Sequence, residues 1–440
     1  MRRAALAIVV LLAVRPAAAN PLDAFGFGAR AGAMAGAQTA ATRDGGANYY
    51  NPAALALGDD IRIDVGYQLA KPVLSINGGG QGVDASRGLA VAVSAPGKLG
   101  PLKLAFGLGI FLPDERITRA RAMPAGRPRW SLYDNRPQRL FIGSHLAFEL
   151  HPRLHVGGGI AYMSRTKGDL NLLGRVGFPD AEGSDLQTDV SVDLKTIRYP
   201  QAGILFRATP WLDVGLSYRG GFVLSLDQQF AIRGDLGAPD VAPIIADAFF
   251  ALRTLSFDLF QPAQVTGGFA LRLSPRLLIA GDLGWQHWAS YDNPAARIEI
   301  TFDLGMFNDL VNLPPQVPLP KAYFHDIVVP RLAFEWTAAI TPHTTWQVRG
   351  GYSYEPSPAP EQQGETNFVD NDKHTLSAGL GLSVFRVTEI LPRPFDIDVY
   401  LAATFLPERS HRKLSDIDPV GDYVASGVVF AAGVSSRWHF

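Results

Sequence analysis

The sequence lacks cysteine entirely and is poor in charged residues. Without cysteine among its 440 residues, the chain has no disulfide framework, no thiolate zinc site and no cysteine nucleophile. Charged residues make up 18% of the chain, whereas soluble domains average roughly 25%. The 40 basic and 41 acidic residues give a net charge of −1. The basic footprint of a nucleic-acid-binding protein is therefore missing.

Long hydrophobic runs are also scarce. Residues 1–19 combine a basic start at Arg2 and Arg3, a short apolar stretch at 4–14 and small residues at 17–19, which together predict a signal peptide. Beyond it, no apolar run reaches the roughly 18 residues of a membrane-spanning helix. If the mature chain spans a membrane, we expect a closed β-barrel, since only helices and barrels satisfy all their backbone groups in hydrocarbon.

Signatures of catalysis are missing as well. The nine histidines are scattered along the chain, and the G-x-S-x-G pattern of serine hydrolases does not occur. The glycine-rich segment 77–82 lies in a predicted loop with no helix after it, so it does not form a phosphate cradle. We therefore expect no enzymatic activity, no cofactor and no metal site.

The chain instead repeats segments in which apolar and polar residues alternate over about ten positions, as in transmembrane barrel strands. Ile61, Ile63 and Val65, for example, share one face of such a segment. An even count of about 14 segments predicts an all-β fold, a transmembrane antiparallel β-barrel. The segments are residues 60–70, 87–95, 102–111, 139–150, 154–166, 196–208, 211–226, 262–273, 277–290, 326–340, 344–355, 373–388, 395–406 and 424–440.

The connections between these segments alternate in length, as the turns and loops of outer-membrane barrels do. Long connections are residues 71–86, 112–138, 167–195, 227–261, 291–325, 356–372 and 407–422. Short ones carry a proline, which suits tight turns: Pro96, Pro152, Pro210, Pro275, Pro342 and Pro392. This sorting predicts periplasmic turns, extracellular loops and two periplasmic termini. The chain ends on Phe440, which resembles the signal that the barrel-assembly machinery of Gram-negative bacteria recognises in its partners.

Residues 20–58 differ from the strand pattern. Gly28, Gly32 and Gly36 repeat at the spacing of a membrane-helix pair, but Arg30 interrupts an apolar run that is too short to span. Close backbone packing in a confined space explains the small residues better. A barrel of 14 strands is wider than barrels filled by side chains alone. We therefore predict that residues 20–58 form a hatch that fills the lumen of a barrel at 59–440.

Four ordered segments resemble the FadL-type transporters of the Gram-negative outer membrane. The first is GFGARAGAMAGAQTAATRDGGANYYNPAALAL at residues 26–57, which is similar to the hatch of that family. The second runs from FQPAQ at 260–264 to DLGWQHWASY at 282–291. The third is RGGYSYEPSPAP at 349–360 and the fourth is NDKHTLSAGLG at 371–381. Residues 70–255 match only in their strand pattern.

This resemblance implies a 14-stranded barrel with an internal hatch and a gap in its wall. It implies uptake of long-chain fatty acids or, in the TodX-like branch, aromatic hydrocarbons, captured at apolar outer loops and released sideways. Outer-membrane lipids and lipopolysaccharide are the expected surroundings. The hatch and gating positions that it indicates are Gly28, Arg30, Gly32, Asn51, Pro52 and Ala53.

Two sets of substrate-binding residues are candidates. In the loop 227–261, Asp240 and Pro243 predict the start of a helix whose apolar stripe includes Ile245, Phe249 and Leu252. The alternative is that this stripe only packs on the barrel rim. A carboxylate substrate would need a buried cation, for which Arg349, Arg331 and Arg272 on inward faces are candidates. Inward charges more commonly form salt-bridge networks. Trp285 should face lipid and Trp288 the outer aromatic girdle.

Three functions fit these observations. The first is uptake of hydrophobic small molecules. The second is a related barrel whose loops bind exported proteins instead of moving lipid. The third is a general aqueous porin, which the predicted hatch and the apolar loops disfavour. The identity of the substrate stays open between fatty acid, alkane and aromatic hydrocarbon.

Overall fold

A computed structural model describes residues 26–114, 126–134, 139–177, 184–237, 242–295, 297–310, 318–341, 343–385 and 393–440. The predicted signal peptide lies outside these residues, as do Asp240, Pro342 and Pro392. In the described part of the chain, no helix is long and apolar enough to span a bilayer.

Fourteen strands close into one antiparallel barrel. Each pairs with its neighbours along the chain, and the first pairs with the last from Arg62↔His439 to Ile76↔Ala425. The barrel strands are β1 (Arg62–Ile76), β3 (Ser86–Leu99), β4 (Leu102–Pro113), β5 (Phe141–His151), β6 (Leu154–Gly177), β7 (Asp185–Thr209), β8 (Leu212–Arg219), β11 (Gln264–Ser274), β12 (Leu277–Gln286), β14 (Ile327–Thr341), β15 (Thr344–Glu355), β16 (Lys373–Val384), β17 (Phe395–His411) and β18 (Tyr423–His439). They correspond one to one with the 14 predicted segments, so the barrel prediction is confirmed.

The predicted alternation sets the two faces of the wall. In β12, Leu283 is 58% exposed whereas its neighbour Asp282 is 7% exposed, because successive residues point to opposite sides. The large exposed side chains of the other strands are mostly aliphatic or aromatic, including Leu332, Leu376 and Leu401. The outer surface is therefore apolar and the lumen polar, as a lipid-embedded barrel requires.

The connections are sorted as predicted, with one correction. Pro152, Pro210 and Pro275 lie in or beside tight hairpin turns on one side of the barrel. Pro96 was expected in such a turn but lies inside β3, opposite Ala105. The turn falls instead at Gly100, whose positive φ of 60° suits glycine.

The predicted helix in the loop 227–261 is wrong, because this part of the chain forms a hairpin of β9 (Phe222–Gly237) and β10 (Ile245–Gln261). The upper part of β6 pairs in parallel with β9, and β13 (Arg297–Asp303) pairs with β10. Together with the upper part of β7 they form an outer sheet in the order β7-β6-β9-β10-β13. Pairing of β10 with β9 and β13 therefore outweighs the helical periodicity of its local sequence.

Short elements complete the described chain. Inside the barrel lie α1 (Ala29–Ala33), α2 (Ala47–Tyr50) and a 3₁₀ helix at Pro52–Leu57. The loops carry β2 (Gly79–Gly80), α3 (Ser131–Asp134) and 3₁₀ turns at Trp288–Ser290 and Gly305–Leu310.

Candidate functional site

Residues 26–57, called the hatch below, pack inside the barrel. Asn51 begins the 3₁₀ helix by accepting a hydrogen bond from Ala53 N at 3.1 Å, and Pro52 takes the first helical position, where no N–H is needed. The Asn51 side chain also donates to Thr39 O at 2.7 Å and to Ile204 O of the wall at 3.1 Å. The Asn-Pro-Ala motif therefore holds the hatch turn against β7.

Glycines leave space where the hatch meets the wall. A Cβ at Gly203 would overlap Asn51 Oδ1, and a Cβ at Gly157 would lie 2.5 Å from Pro52 C. Within the hatch, a Cβ at Gly32 would lie 2.5 Å from the ring of Tyr400 in β17. Gly28 is required for its backbone, since its φ is +91°. Both hatch glycines proposed from the sequence are thus explained, one by contact and one by conformation.

Arg30 binds the hatch to the opposite side of the wall. Its guanidinium donates to Glu335 at 2.8 and 3.3 Å, to Gln38 Oε1 at 3.0 Å and to Ala41 O at 3.1 Å. Glu335 also accepts a hydrogen bond from Arg349 at 2.6 Å. Such a buried, fully bonded charge is costly to disrupt.

A second ion cluster fixes the other half of the hatch. Arg437 of β18 lies 3.4 Å from Asp44 of the hatch, 2.8 Å from Asp64 and 3.1 Å from Asp396. Burial raises the pKa of Asp44, but the charges of Arg437 and Arg30 outweigh it, so the pKa lies below its usual value. Asp44 is therefore ionised and paired at neutral pH.

Asp282 is an anchor that the sequence analysis did not identify. Its Oδ2 accepts hydrogen bonds from Gln38 N at 2.9 Å, from Thr39 N at 3.0 Å and from Thr39 Oγ1 at 2.9 Å. Its inward position follows from the strand alternation. The bonds to the hatch could not be foreseen, because they join residues more than 240 positions apart.

A cavity lies between the hatch and the wall. Its volume is about 150 Å³. The hatch contributes Gly32, Gly36, Tyr49 and Tyr50 to its lining. The wall contributes aromatic, polar and charged side chains, among them Arg219, Gln264, Gln286, Arg331 and Tyr400. The cavity lining thus combines aromatic rings with many polar and charged side chains, and it is more polar than the usual pocket for a small molecule.

Aromatic side chains of the loops pack together beside this cavity, and one of them, Trp288, lines it. Trp288, Tyr291, Phe260, Phe324 and Phe368 form one buried roof cluster, with ring centroids 4.2 Å apart for Phe260 and Tyr291 and 4.3 Å apart for Tyr291 and Phe324. The expectation that Trp288 belongs to an outer girdle is wrong, because it is 2% exposed and lines the cavity. The 3₁₀ turn at Trp288–Ser290 ends the strand and rotates the ring inward. Trp285, 39% exposed, faces outward as expected.

The three candidate cations differ in their surroundings. Arg349 is bound to Glu335 and lies 2.6 Å from Asp398, and Arg272 lies 2.9 Å from Asp213. Both therefore belong to salt-bridge networks, which the sequence offered as the alternative to binding a carboxylate substrate. Arg331 lines the cavity and makes no ion pair with the residues that the structure describes.

The predicted apolar stripe of the outer loop is also rearranged. Because β10 is a strand, Phe249 and Leu252 lie on opposite faces. Phe249 lies under Arg233, 5.0 Å from its guanidinium, on the charged face of the outer sheet. Leu252 belongs to the apolar face, and Ile245 lies at the start of the strand opposite Leu236. The three residues therefore do not form one surface.

Leu252 belongs to an apolar row that crosses all five strands of the outer sheet. Its neighbours in register are Phe230 on β9 and Ile300 on β13. Beyond Phe230 the row continues through Leu170 on β6 to Val190 on β7. Val190 is 60% exposed and Ile300 37% exposed. The outer sheet therefore presents an open apolar surface above the membrane.

A closed 14-stranded barrel with an apolar exterior and a plugged lumen defines an outer-membrane β-barrel protein. Residues 8–390 match the family described as outer membrane protein transport protein (OMPP1/FadL/TodX), and the chain belongs to this family. The family consists of transport channels.

Solved structures have the same fold. A FadL homologue from Pseudomonas aeruginosa has a TM-score of 0.57 and 14% identity, over 94% of this chain and 98% of that one. The toluene transporter TodX of P. putida has a TM-score of 0.54 and 14% identity, over 95% and 99%. The CymD monoaromatic hydrocarbon channel has a TM-score of 0.52 and 15% identity, over 95% and 98%. No curated protein sequence matches the chain.

Proposed function

We propose that this protein takes up hydrophobic small molecules, fatty acids or hydrocarbons, by capture at the outer sheet, passage into the cavity and lateral release through the wall. The cavity between the hatch and the roof cluster is the observation that carries this proposal. It offers a partly open site for one small molecule, while the hatch occupies the route that an aqueous porin would leave open. The similarity in fold to the toluene transporter TodX and to the CymD monoaromatic hydrocarbon channel supports a hydrophobic substrate.

Lateral release follows from the cost of hydrating an apolar chain. Each CH₂ group loses about 0.8 kcal/mol on transfer into water. A substrate that passes from the cavity into lipid avoids this cost, whereas one that crosses the hatch would meet the ion pairs around Arg30 and Arg437. An exit through the wall is therefore favoured over one through the lumen.

The apolar row around Leu252 is the proposed capture surface. Leu252→Asp places a carboxylate within this row, between Phe230 and Ile300, and we expect uptake of a labelled fatty acid or of toluene to fall about tenfold, since one buried leucine contributes roughly 1.5–3 kcal/mol. Phe249→Asp is the matched control, because Phe249 lies on the opposite face of β10, beside Arg233. Uptake by cells that produce each variant should be compared with cells that lack the protein.

The result also separates the alternatives. Equal uptake in cells with and without the intact protein would refute the transport proposal and favour the protein-binding alternative. Equal losses in both variants would refute the assignment of capture to the apolar face. Lipid that co-purifies with the barrel, identified by mass spectrometry, would name the substrate directly.

Arg331 is the proposed partner for a carboxylate head group. Its guanidinium lines the cavity, close to the space left by Gly36 and Gly284. Arg331→Ala should reduce uptake of a fatty acid and spare that of toluene, because only the carboxylate needs a cation. Arg349, whose charge is already balanced by Glu335 and Asp398, should not discriminate between the two substrates.

Two further partners are proposed from the surface of the barrel. Outer-membrane lipids and lipopolysaccharide would cover its apolar exterior. The barrel-assembly machinery would bind the last strand, whose final residue Phe440 is 51% exposed and donates its backbone N–H to Ile61 O at 2.9 Å.

A further inference from the structure

One wall of the cavity is polar. At one height of the barrel, inward side chains with hydrogen-bonding ends lie directly opposite one another on β7, β8, β11 and β12 and line the cavity: Gln201, Arg219, Gln264 and Gln286. Two residues nearer the periplasm along these strands lie the hydroxyls of Ser217 and Thr266, again directly opposite each other. Two residues further, Asp282 lies opposite Arg331 of β14.

The other side of the cavity is more apolar. Its lining on the hatch, β17 and β18 includes Tyr50, Tyr400, Ala402, Val429 and Ala431. The polar side chains on this side bond to one another. Thr404 Oγ1 lies 2.8 Å from Thr375 Oγ1, and Lys373 donates to Glu355 at 2.9 Å. The cavity therefore suits a molecule with an apolar body and a polar group at one edge.

Two groups of the polar wall converge over Gly284. A Cβ at this position would lie 3.1 Å from Thr266 Oγ1 and 3.3 Å from Arg331 Nη1, so the glycine leaves the space between them open. In the described part of the chain, no hydrogen bond or ion pair engages the Thr266 hydroxyl or the Arg331 guanidinium. Both groups are therefore available to a molecule in the cavity.

A hydroxyl group of a ligand matches this pair of groups. A guanidinium only donates, whereas a threonine hydroxyl also accepts, so a ligand hydroxyl can accept from Arg331 and donate to Thr266 at once. A hydrocarbon would desolvate both groups and leave them unpaired, which lowers affinity. A carboxylate would place a second negative charge beside Asp282, which lies directly opposite Arg331.

We propose that the cavity selects a neutral aromatic ring with a hydroxyl group, such as an alkylphenol, and that Thr266 and Arg331 recognise the hydroxyl over Gly284. This inference rests on the proposed uptake function and narrows its substrate class. The rings of Tyr50 and Tyr400 supply aromatic contacts for the body of the ligand.

Three rings of similar size that differ in one substituent test the selection: 4-methylphenol, 1,4-dimethylbenzene and 4-methylbenzoate. Their affinities for the detergent-solubilised full-length barrel can be measured by isothermal titration and corrected for partition into micelles. The natural protein should bind 4-methylphenol about tenfold more tightly than either of the others, since one hydrogen bond to a charged group and one to a neutral group are at stake.

Thr266→Val removes the hydroxyl and nearly keeps the shape of the side chain. It should weaken binding of 4-methylphenol about fivefold, as expected for one neutral hydrogen bond, and leave binding of 1,4-dimethylbenzene unchanged or tighter. Thr404→Val is the matched control, because it makes the same substitution on the other side of the cavity, where the hydroxyl is already bonded to Thr375. It should change none of the three affinities. Heat-modifiable mobility would show that both variants are assembled.

The outcomes separate the ligand class from the function beneath it. Equal corrected affinities of the natural protein for 4-methylphenol and 1,4-dimethylbenzene would overturn the selection for a hydroxyl. Tightest binding of 4-methylbenzoate would also overturn it and would leave Arg331 as the partner of a carboxylate. Equal effects of Thr266→Val and Thr404→Val would overturn the assignment to the polar wall. None of these results would affect the uptake of toluene or fatty acid, which is measured in cells and decides the proposed function separately.

Discussion

Replacing Arg30 by methionine should release the hatch while the barrel stays assembled. Arg30 belongs to the hatch, is 6% exposed, and donates to Glu335, Gln38 and Ala41. Methionine keeps the aliphatic part of the side chain and removes all of these hydrogen bonds. Because the wall ladder contains no bond to Arg30, the change should affect docking of the hatch rather than pairing of the strands.

The size of the effect follows from the surroundings of Glu335. Removing one partner of a buried ion pair costs about 3–5 kcal/mol. Arg349 remains 2.6 Å from Glu335 and still balances its charge, so the lower end of this range applies. A cost of about 3 kcal/mol corresponds to a roughly 100-fold increase in the population of the undocked hatch, at 1.4 kcal/mol per factor of ten.

Single-channel recording in planar bilayers measures this population as the fraction of time spent in a high-conductance state. Arg253→Met is the control, since Arg253 has an ion pair of similar length, 2.9 Å from Asp227, that is exposed in the outer sheet and does not contact the hatch. Identical recordings from Arg30→Met and the natural protein would refute the idea that this ion pair keeps the hatch docked.

Three further predictions concern the same contact surface. Deleting residues 26–57 should give a porin-like conductance, and equally high conductance of the intact protein would instead support an aqueous porin. Gly203→Val should displace Asn51, because a Cβ at Gly203 overlaps its side chain, and bilayer recordings should then show frequent openings; unchanged closure would contradict the packing. Burial raises the pKa of Asp44, but the charge of Arg437 lowers it further, so the pKa lies below its usual value of 3.8. Ionised Asp44 therefore stabilises docking of the hatch at pH values above 3.8, and this contribution is lost as the pH falls below that value. Conductance should therefore rise only below about pH 4, and less so in Asp44→Asn; a rise between pH 5 and 7 would point to other groups.

Much of the fold could be predicted from the sequence, because a barrel strand carries its own signal. Alternation has a period of two and depends only on local sequence. The lipid outside and the polar lumen inside make each strand of the wall obey it, as Asp282 and Leu283 do. The compact hatch was recognisable for a similar reason, since a turn such as that at Asn51 and Pro52 is specified by its own residues.

In the loops, local periodicity did not predict the structure. Residues 245–252 belong to the stretch with helical periodicity, yet they form part of β10, because β9 and β13 pair with them on both edges, whereas a short isolated helix is only marginally stable in water. This change of period placed Phe249 and Leu252 on opposite faces. In a different loop, a short 3₁₀ turn that the sequence did not indicate places Trp288 in the roof cluster instead of the expected outer position.

The sequence by itself determined the number of barrel strands, the faces of the residues within them and the presence of a hatch, since these follow from local periodicity and turn chemistry. Only the tertiary structure decided which charges meet. Arg349, Arg331 and Arg272 all lie on inward faces. Arg349 pairs with Glu335 and Asp398, and Arg272 pairs with Asp213. Arg331 faces the cavity. The register between distant strands and the position of the hatch create these pairings, and both depend on contacts hundreds of residues apart.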